Sequence, residues 1–173
     1  MRTALSRRND LDFAAVCEDH LDDVFGYLLY LTGNRTVAED LAADTFERAL
    51  RRFRRYDPRR GTPRTWLLTL ARSTALDHFR SEERRRRREG TYALQEPESD
   101  ESDSFGHSFS PALEAALWSL SAGEREVVAL RVLLELDGET AARLLGISPT
   151  ACSTRLHRAL QKLEEKVRDD VRA

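Results

Sequence analysis

At 173 residues, with 40% hydrophobic and 34% charged side chains, the chain suits one mid-sized domain or two small helical ones with thin cores. The longest apolar stretch, Val127 to Leu136, is broken by Arg131 and Glu135 and is too short to cross a bilayer, and the polar N-terminus lacks a signal-peptide core, so a cytoplasmic protein is expected. The net charge of −2 argues against a nucleic-acid binder only as an average, because the charge is segregated along the chain.

From Asp10 to Glu47 nearly every charge is acidic. Here Phe13, Cys17, Leu21, Val24, Leu28 and Leu31 recur at spacings of three and four and predict one buried helix face, which Gly33 and Asn34 end. Thr36 and Glu39 have capping-box spacing and predict the start of a second helix. That helix would bury Val37, Leu41, Thr45, Ala49 and Phe53 and present Glu39, Asp40, Asp44 and Glu47 on its other side.

Arg48 to Arg88 holds fifteen arginines against four acidic residues, a local net of +11. A punctuated loop, Asp57 to Gly61, leads to Thr62-Pro63, an N-cap followed by proline at the first helical position. The third helix runs through Trp66, Leu67, Leu70, Ala71, Ala75, Leu76 and Phe79. It is expected to decay at Arg84 to Arg88, where five like charges repel. Residues 90–110 are rich in Glu, Asp, Ser and Pro and read as a linker, which places a domain boundary there.

A second helical domain is predicted from Pro111. Ser121 and Glu124 form another capping-box pair, and the helix behind them carries Val127, Val128, Leu130, Leu133 and Leu134. Asp137-Gly138 turns the chain. A short helix from Glu139 to Leu145 ends at Gly146, Ser148 caps, and Pro149 opens a last helix through Leu156, Leu160, Leu163 and Val167. No strand-like alternation is sustained, so the predicted fold is all-α.

Residues 140–160 form the sharpest local pattern: short helix, Leu-Gly-Ile-Ser turn, longer basic helix, which is the pattern of a helix-turn-helix. Ala141 and Ala142 permit a close crossing, Gly146 can take the left-handed turn conformation, and Ile147 and Cys152 fill the seam. The second helix would then present Thr150, Ser153, Thr154, Arg155 and Arg158 to a DNA major groove. Cys17 and His20 have no second ligand pair nearby, so neither a metal nor any other cofactor is expected. His20, His78, His107 and His157 are scattered without clustered carboxylates, and no phosphate loop or nucleophile–base pair appears, so no enzymatic activity is expected either.

Residues 121–166, with LSAGEREVVALR before the turn and LGIS and TRLHRALQKL after it, resemble region four of the extracytoplasmic-function sigma factors of bacterial RNA polymerase. Residues 37–80 resemble region two, with VAEDLAADTF similar to its polymerase-docking helix and PRTWLLTLARSTALDHFR similar to its promoter-melting helix. The resemblance implies three segments: a region-two domain over 10–88, an acidic linker over 89–110, and a region-four domain over 111–168. It implies core polymerase as partner, through the β′ clamp helices and the β flap, together with promoter DNA and an anti-sigma factor.

Residue by residue, it implies that Glu39, Asp40, Asp44 and Glu47 dock on polymerase. It implies that Arg54, Arg55, Tyr56, Arg59, Arg60, Arg64, Trp66, Arg72, Ser73, Asp77 and Arg80 hold the minus-ten element. The helix-turn-helix set named above would read the minus-thirty-five element. Departures from the family pattern are Ala43 for a glutamine, Ser73 for an asparagine, Ser153 for a basic residue and Ala151-Cys152 for Thr-Val. The alternative reading is a helix-turn-helix regulator with an N-terminal sensing domain, which would bind duplex DNA tightly without polymerase.

Overall fold

The computed structural model describes residues 12–88 and 111–172, and all regular structure among them is helical. The linker expected over residues 89–110 lies outside the described residues. Three long helices make the first module: α1 (Phe13–Thr32), α2 (Arg35–Arg52) and α3 (Pro63–Arg88), with two short 3₁₀ turns, Phe53–Arg55 and Pro58–Arg60, between α2 and α3.

Asp12 caps α1, its carboxylate accepting from the Ala14 N–H at 3.2 Å. Gly33 closes α1 in the left-handed region at φ +61°, donating its N–H to the Leu29 carbonyl. The buried face of α1 is wider than the predicted stripe and turned from it: Val16, Tyr27 and Tyr30 are in the core, whereas Leu21 is 49% exposed. One stripe suits a helix covered on one side, but α1 is covered by α2 and α3 and also by the second module.

Helix α2 begins at Arg35, so Thr36 is not its cap. Asn34, extended directly after the left-handed glycine, accepts from the Val37 N–H at 3.0 Å, and Arg35 pairs with Glu39 one turn on. An aromatic cluster joins the elements. Phe53 meets Phe13 edge-on at 5.0 Å, and Tyr56 lies 5.1 Å from Trp66. The Tyr56 hydroxyl donates to the Gly61 carbonyl at 2.8 Å and fastens the loop. Thr62 caps α3 by accepting from the Thr65 N–H.

Contrary to the sequence expectation, α3 stays helical through Arg84–Arg88. Arg85 pairs with Glu82 and Arg87 with Glu83, each one turn back, so the repulsion among the arginines is offset locally.

The second module comprises α4 (Pro111–Trp118), α5 (Ala122–Val128), α6 (Gly138–Leu145) and α7 (Pro149–Arg172), with α7 packing on the other three. The Ser121–Glu124 capping box is formed. The straight helix predicted through Leu134 is interrupted instead by a π turn, Ala129–Leu133, closed by the Leu134 N–H on the Ala129 carbonyl at 3.0 Å. The extra residue per turn rotates the apolar register. Val132 and Leu133 therefore emerge at the surface, 48% and 41% exposed, while Leu130 and Leu134 stay buried.

The two modules pack together, α1 and α3 against α5, α6 and the π turn. The Trp118 ring lies so close over Gly33 that a Cβ there would sit 2.0 Å from it.

Candidate nucleic-acid interface

The helix-turn-helix is built as its residue types require. Gly146 sits at φ +68° with its N–H on the Arg143 carbonyl, and the Ile147 N–H reaches Ala142 at 3.0 Å. Ser148 caps α7, accepting from the Ala151 N–H at 3.1 Å. Ala141, Ala142, Cys152 and Ala159 are buried in the crossing. Thr150, Ser153, Thr154 and Arg158 are exposed along the N-terminal half of α7. Arg155 is only half-exposed and leans back on α5, its guanidinium near Gly123. Sequence reasoning overlooked His157, which is exposed and follows Ser153 by four residues on the outward face.

On α2 the four acidic residues are all exposed. Glu39 is paired with Arg35 and Glu47 with Arg51, each within the helix. Leu50, 59% exposed, continues this face, which therefore carries an apolar end that the sequence reading, intent on charge, passed over.

The arginine-rich set divides between places. Arg54, Arg59 and Arg60 are exposed around the 3₁₀ turns. Arg55, Arg60, Tyr56 and Trp66 border a cavity of about 330 Å³ that Thr140, Arg143 and Leu144 of α6 close from the other module. Tyr56 is buried with its hydroxyl spent on the loop, whereas Trp66 keeps part of its ring at the surface.

Arg64, expected in the arginine track, and Arg72, expected beside Ser73, Asp77 and Arg80, are turned inward: Arg64 lies between α1 of its own module and the second module, and Arg72 reaches the second module. Arg64 donates to both Asp23 oxygens, at 2.6 and 3.2 Å, and to the Leu134 carbonyl at 2.8 Å. Arg72 forks onto Glu126 at 2.6 and 3.3 Å. Asp77 is held by Arg48 of α2 at 3.1 Å with Arg80 beside it, and Ser73 is exposed. The role of Arg48 in placing Asp77 could not be seen without the α2–α3 packing. Among the described residues no group of three or more metal-ligating side chains comes together, and no helix is long and apolar enough to cross a membrane.

Among the described residues the chain is all-helical, with a charged three-helix unit and a second module that carries an exposed helix-turn-helix. Comparison with known proteins identifies the family. The sequence matches the Sigma-70 region 2 family over residues 16–85 and the Sigma-70 region 4 family over residues 110–163. It is 35% identical over 151 residues to the RNA polymerase sigma factor CarQ of Myxococcus xanthus, covering 84% of this chain and 83% of CarQ. It is 34% identical to the ECF sigma factor BldN of Streptomyces coelicolor, covering 92% of this chain but only 62% of BldN's length.

In fold it is similar to the sigma factor RpoE of Bartonella quintana, solved in complex with the anti-sigma factor NepR. There the TM-score is 0.77 at 23% identity, over 91% of this chain and 97% of that one. It is also similar to CnrH in complex with the cytosolic domain of CnrY, with a TM-score of 0.66 at 22% identity, over 91% and 88%. The chain belongs to the extracytoplasmic-function family of RNA polymerase sigma factors.

Proposed function

We propose that this chain, as a sigma factor, directs core RNA polymerase to a set of promoters through three surfaces. The region-two module, residues 10–88, docks on the β′ clamp helices through Glu39, Asp40, Asp44 and Glu47, with Leu50 adding apolar contact. The same module grips the minus-ten strand. Arg54, Arg55, Arg59 and Arg60 supply the phosphate track, Trp66 a stacking edge beside the buried Tyr56, and Arg64, Arg72, Ser73, Asp77 and Arg80 the polar contacts along α3. The region-four module, residues 111–168, meets the β flap and reads the minus-thirty-five duplex through Thr150, Ser153, Thr154 and Arg158, with Arg155 at the side of the recognition helix. Residues 89–110 tether the two.

The observation that carries this reading is the exposed, correctly capped recognition helix in one chain with an acidic docking face. A helix-turn-helix regulator needs the first feature and has no use for the second. The protein works in the cytoplasm beside its polymerase and performs no bond-making step itself. An anti-sigma factor is the further partner we propose, on the strength of the complexes in which the fold relatives were solved.

Run-off transcription with purified core polymerase on genomic fragments tests the reading, with discrete start sites as the expected result. The docking face is tested by reversing Asp40 and Asp44 to lysine. Both are exposed, so the fold should survive and co-purification with core should be lost. Core that co-purifies as before would overturn the docking assignment.

A further inference from the structure

Between Arg48 and Ser81 the chain holds only two carboxylates, Asp57 and Asp77. Asp57 is consumed locally, accepting from the Arg59 N–H at 3.0 Å to cap a 3₁₀ turn. Asp77 stands on the outer face of α3, one turn from Ser73 and beside Arg80, on the surface proposed to hold the minus-ten strand. A bare carboxylate there would repel each phosphate that approached. Its side chain is 51% exposed, so an ion pair at this place adds little to stability.

The pairing of Asp77 is one-sided. Arg48 reaches across from α2 and donates through Nη1 to Oδ2 at 3.1 Å. Arg80 stands 4.0 Å from Oδ1, outside hydrogen-bond range. One oxygen is thus occupied from behind and the charge offset, while the other is left as an acceptor at the surface. The inward-turned arginines do the opposite: Arg64 engages both oxygens of Asp23, and Arg72 both oxygens of Glu126.

A single acceptor and a free carboxylate select different bases. Unstacked bases offer their Watson–Crick edges to side chains. Adenine and cytosine each give one exocyclic amino group, flanked by a ring nitrogen that only accepts. Guanine gives two adjacent donors, its ring N–H and its amino group, which suit both oxygens of a carboxylate. Thymine sets one N–H between two carbonyl oxygens, which a carboxylate repels.

We propose that Arg48 is a specificity-determining positioning residue. By holding Oδ2 it leaves Asp77 one acceptor, which selects adenine or cytosine over guanine at one position of the minus-ten strand. A residue of the docking helix α2 thereby controls a base contact made from α3. The inference rests on the proposed minus-ten role of Asp77 and deepens it.

The test uses the full chain with core polymerase and a set of fork DNAs, duplex upstream and single-stranded across the minus-ten element, varied one base at a time. Competition between forks gives their relative affinities. The wild type should prefer adenine or cytosine at one position, and Asp77→Ala should flatten that position and no other. Arg48→Ala frees both oxygens, so guanine should gain about tenfold at the same position, in the range a two-bond base contact supplies. An arginine that only braced α2 on α3 would weaken every fork alike, and such a uniform loss overturns the proposal. Should circular dichroism show Arg48→Ala unfolded, Arg48→Met, which keeps the stem and loses the donors, takes its place with the same two outcomes. A flattened profile in Asp77→Ala with an unchanged one in Arg48→Ala overturns the role of Arg48 alone. An unchanged profile in Asp77→Ala overturns the inference together with the minus-ten role of Asp77.

Discussion

At the scale of single residues, the clearest energetic feature is Glu124. Its carboxylate accepts from the Ser121 N–H at 2.9 Å and the Ser121 hydroxyl at 2.8 Å, completing the cap of α5, and from Lys162 of α7 at 2.6 Å. One side chain thus closes a helix start and ties it to the recognition helix. The hydrogen bond from Lys162, with the Ser121 contacts behind it, outweighs the cost of burial and holds the carboxyl at about 2, below its ordinary 4.5. The folded form therefore prefers the ionised group more strongly than the unfolded chain does. That stabilisation is complete above about pH 4.5 and disappears as pH falls towards 2. Lys162 is half-exposed, which limits the pair's worth, and the cap adds about 1 kcal/mol. Glu124→Gln should lower unfolding stability by about 1–2 kcal/mol at neutral pH. The gap between variant and wild type should close across the acid range in denaturant titrations; a gap that persists unchanged at pH 2 would show that the carboxylate charge is not its source.

At the scale of elements, α7 divides its labour along its length. Its inward residues, Cys152 and Ala159, are small and let it sit deep against α5 and α6, which fixes the angle at which the outward residues stand. Arg158 is exposed, whereas Arg155 is half-exposed with its guanidinium near Gly123 of α5. Arg158→Ala should weaken promoter binding by the polymerase complex by about 1–3 kcal/mol, whereas Arg155→Ala, removing a side chain already packed on α5, should cost less. Filter binding of the two variants on one promoter checks the ranking. Both arginines looked equivalent in the sequence, because periodicity assigns a face but not the direction in which a long side chain turns. The same distinction runs through the fold. The caps at Thr62, Ser121, Ser148 and the turn at Gly146 were legible, being set by residues within a few positions of each other. The π turn and the survival of the arginine tail of α3 were not. The first depends on how α5 meets its neighbours, the second on pairs with Glu82 and Glu83 that a count of arginines alone overlooks. In the candidate interface, exposed residues of α2 and α7 were readable from pattern, while the turning of Arg64 and Arg72 towards the other module needed the tertiary structure.

At the scale of the whole molecule, charge and arrangement act in the same direction. The net charge is −2, so the long-range field that brings most DNA-binding proteins to a duplex is nearly cancelled here, whatever the local excess of +11 between Arg48 and Arg88. Part of that excess is also spent on carboxylates outside the stretch: Arg51 on Glu47, Arg64 on Asp23, Arg72 on Glu126. These pairs lower the number of guanidinium groups that can release counterions from a phosphate backbone, and release of counterions supplies most non-specific affinity. The two proposed DNA surfaces, moreover, belong to modules that are packed on each other rather than spread along a duplex. A partner that separates the modules and adds its own cationic channel would correct both deficits at once. The free chain should therefore give no specific shift of a promoter duplex in a gel at concentrations where, mixed with core polymerase, it protects both promoter elements from nuclease. The protection should weaken steeply with salt, because the added phosphate contacts come with the polymerase. A tight, sequence-specific complex between duplex and free chain would instead favour the helix-turn-helix regulator reading, since only a protein whose DNA surfaces are already exposed and unspent could form it.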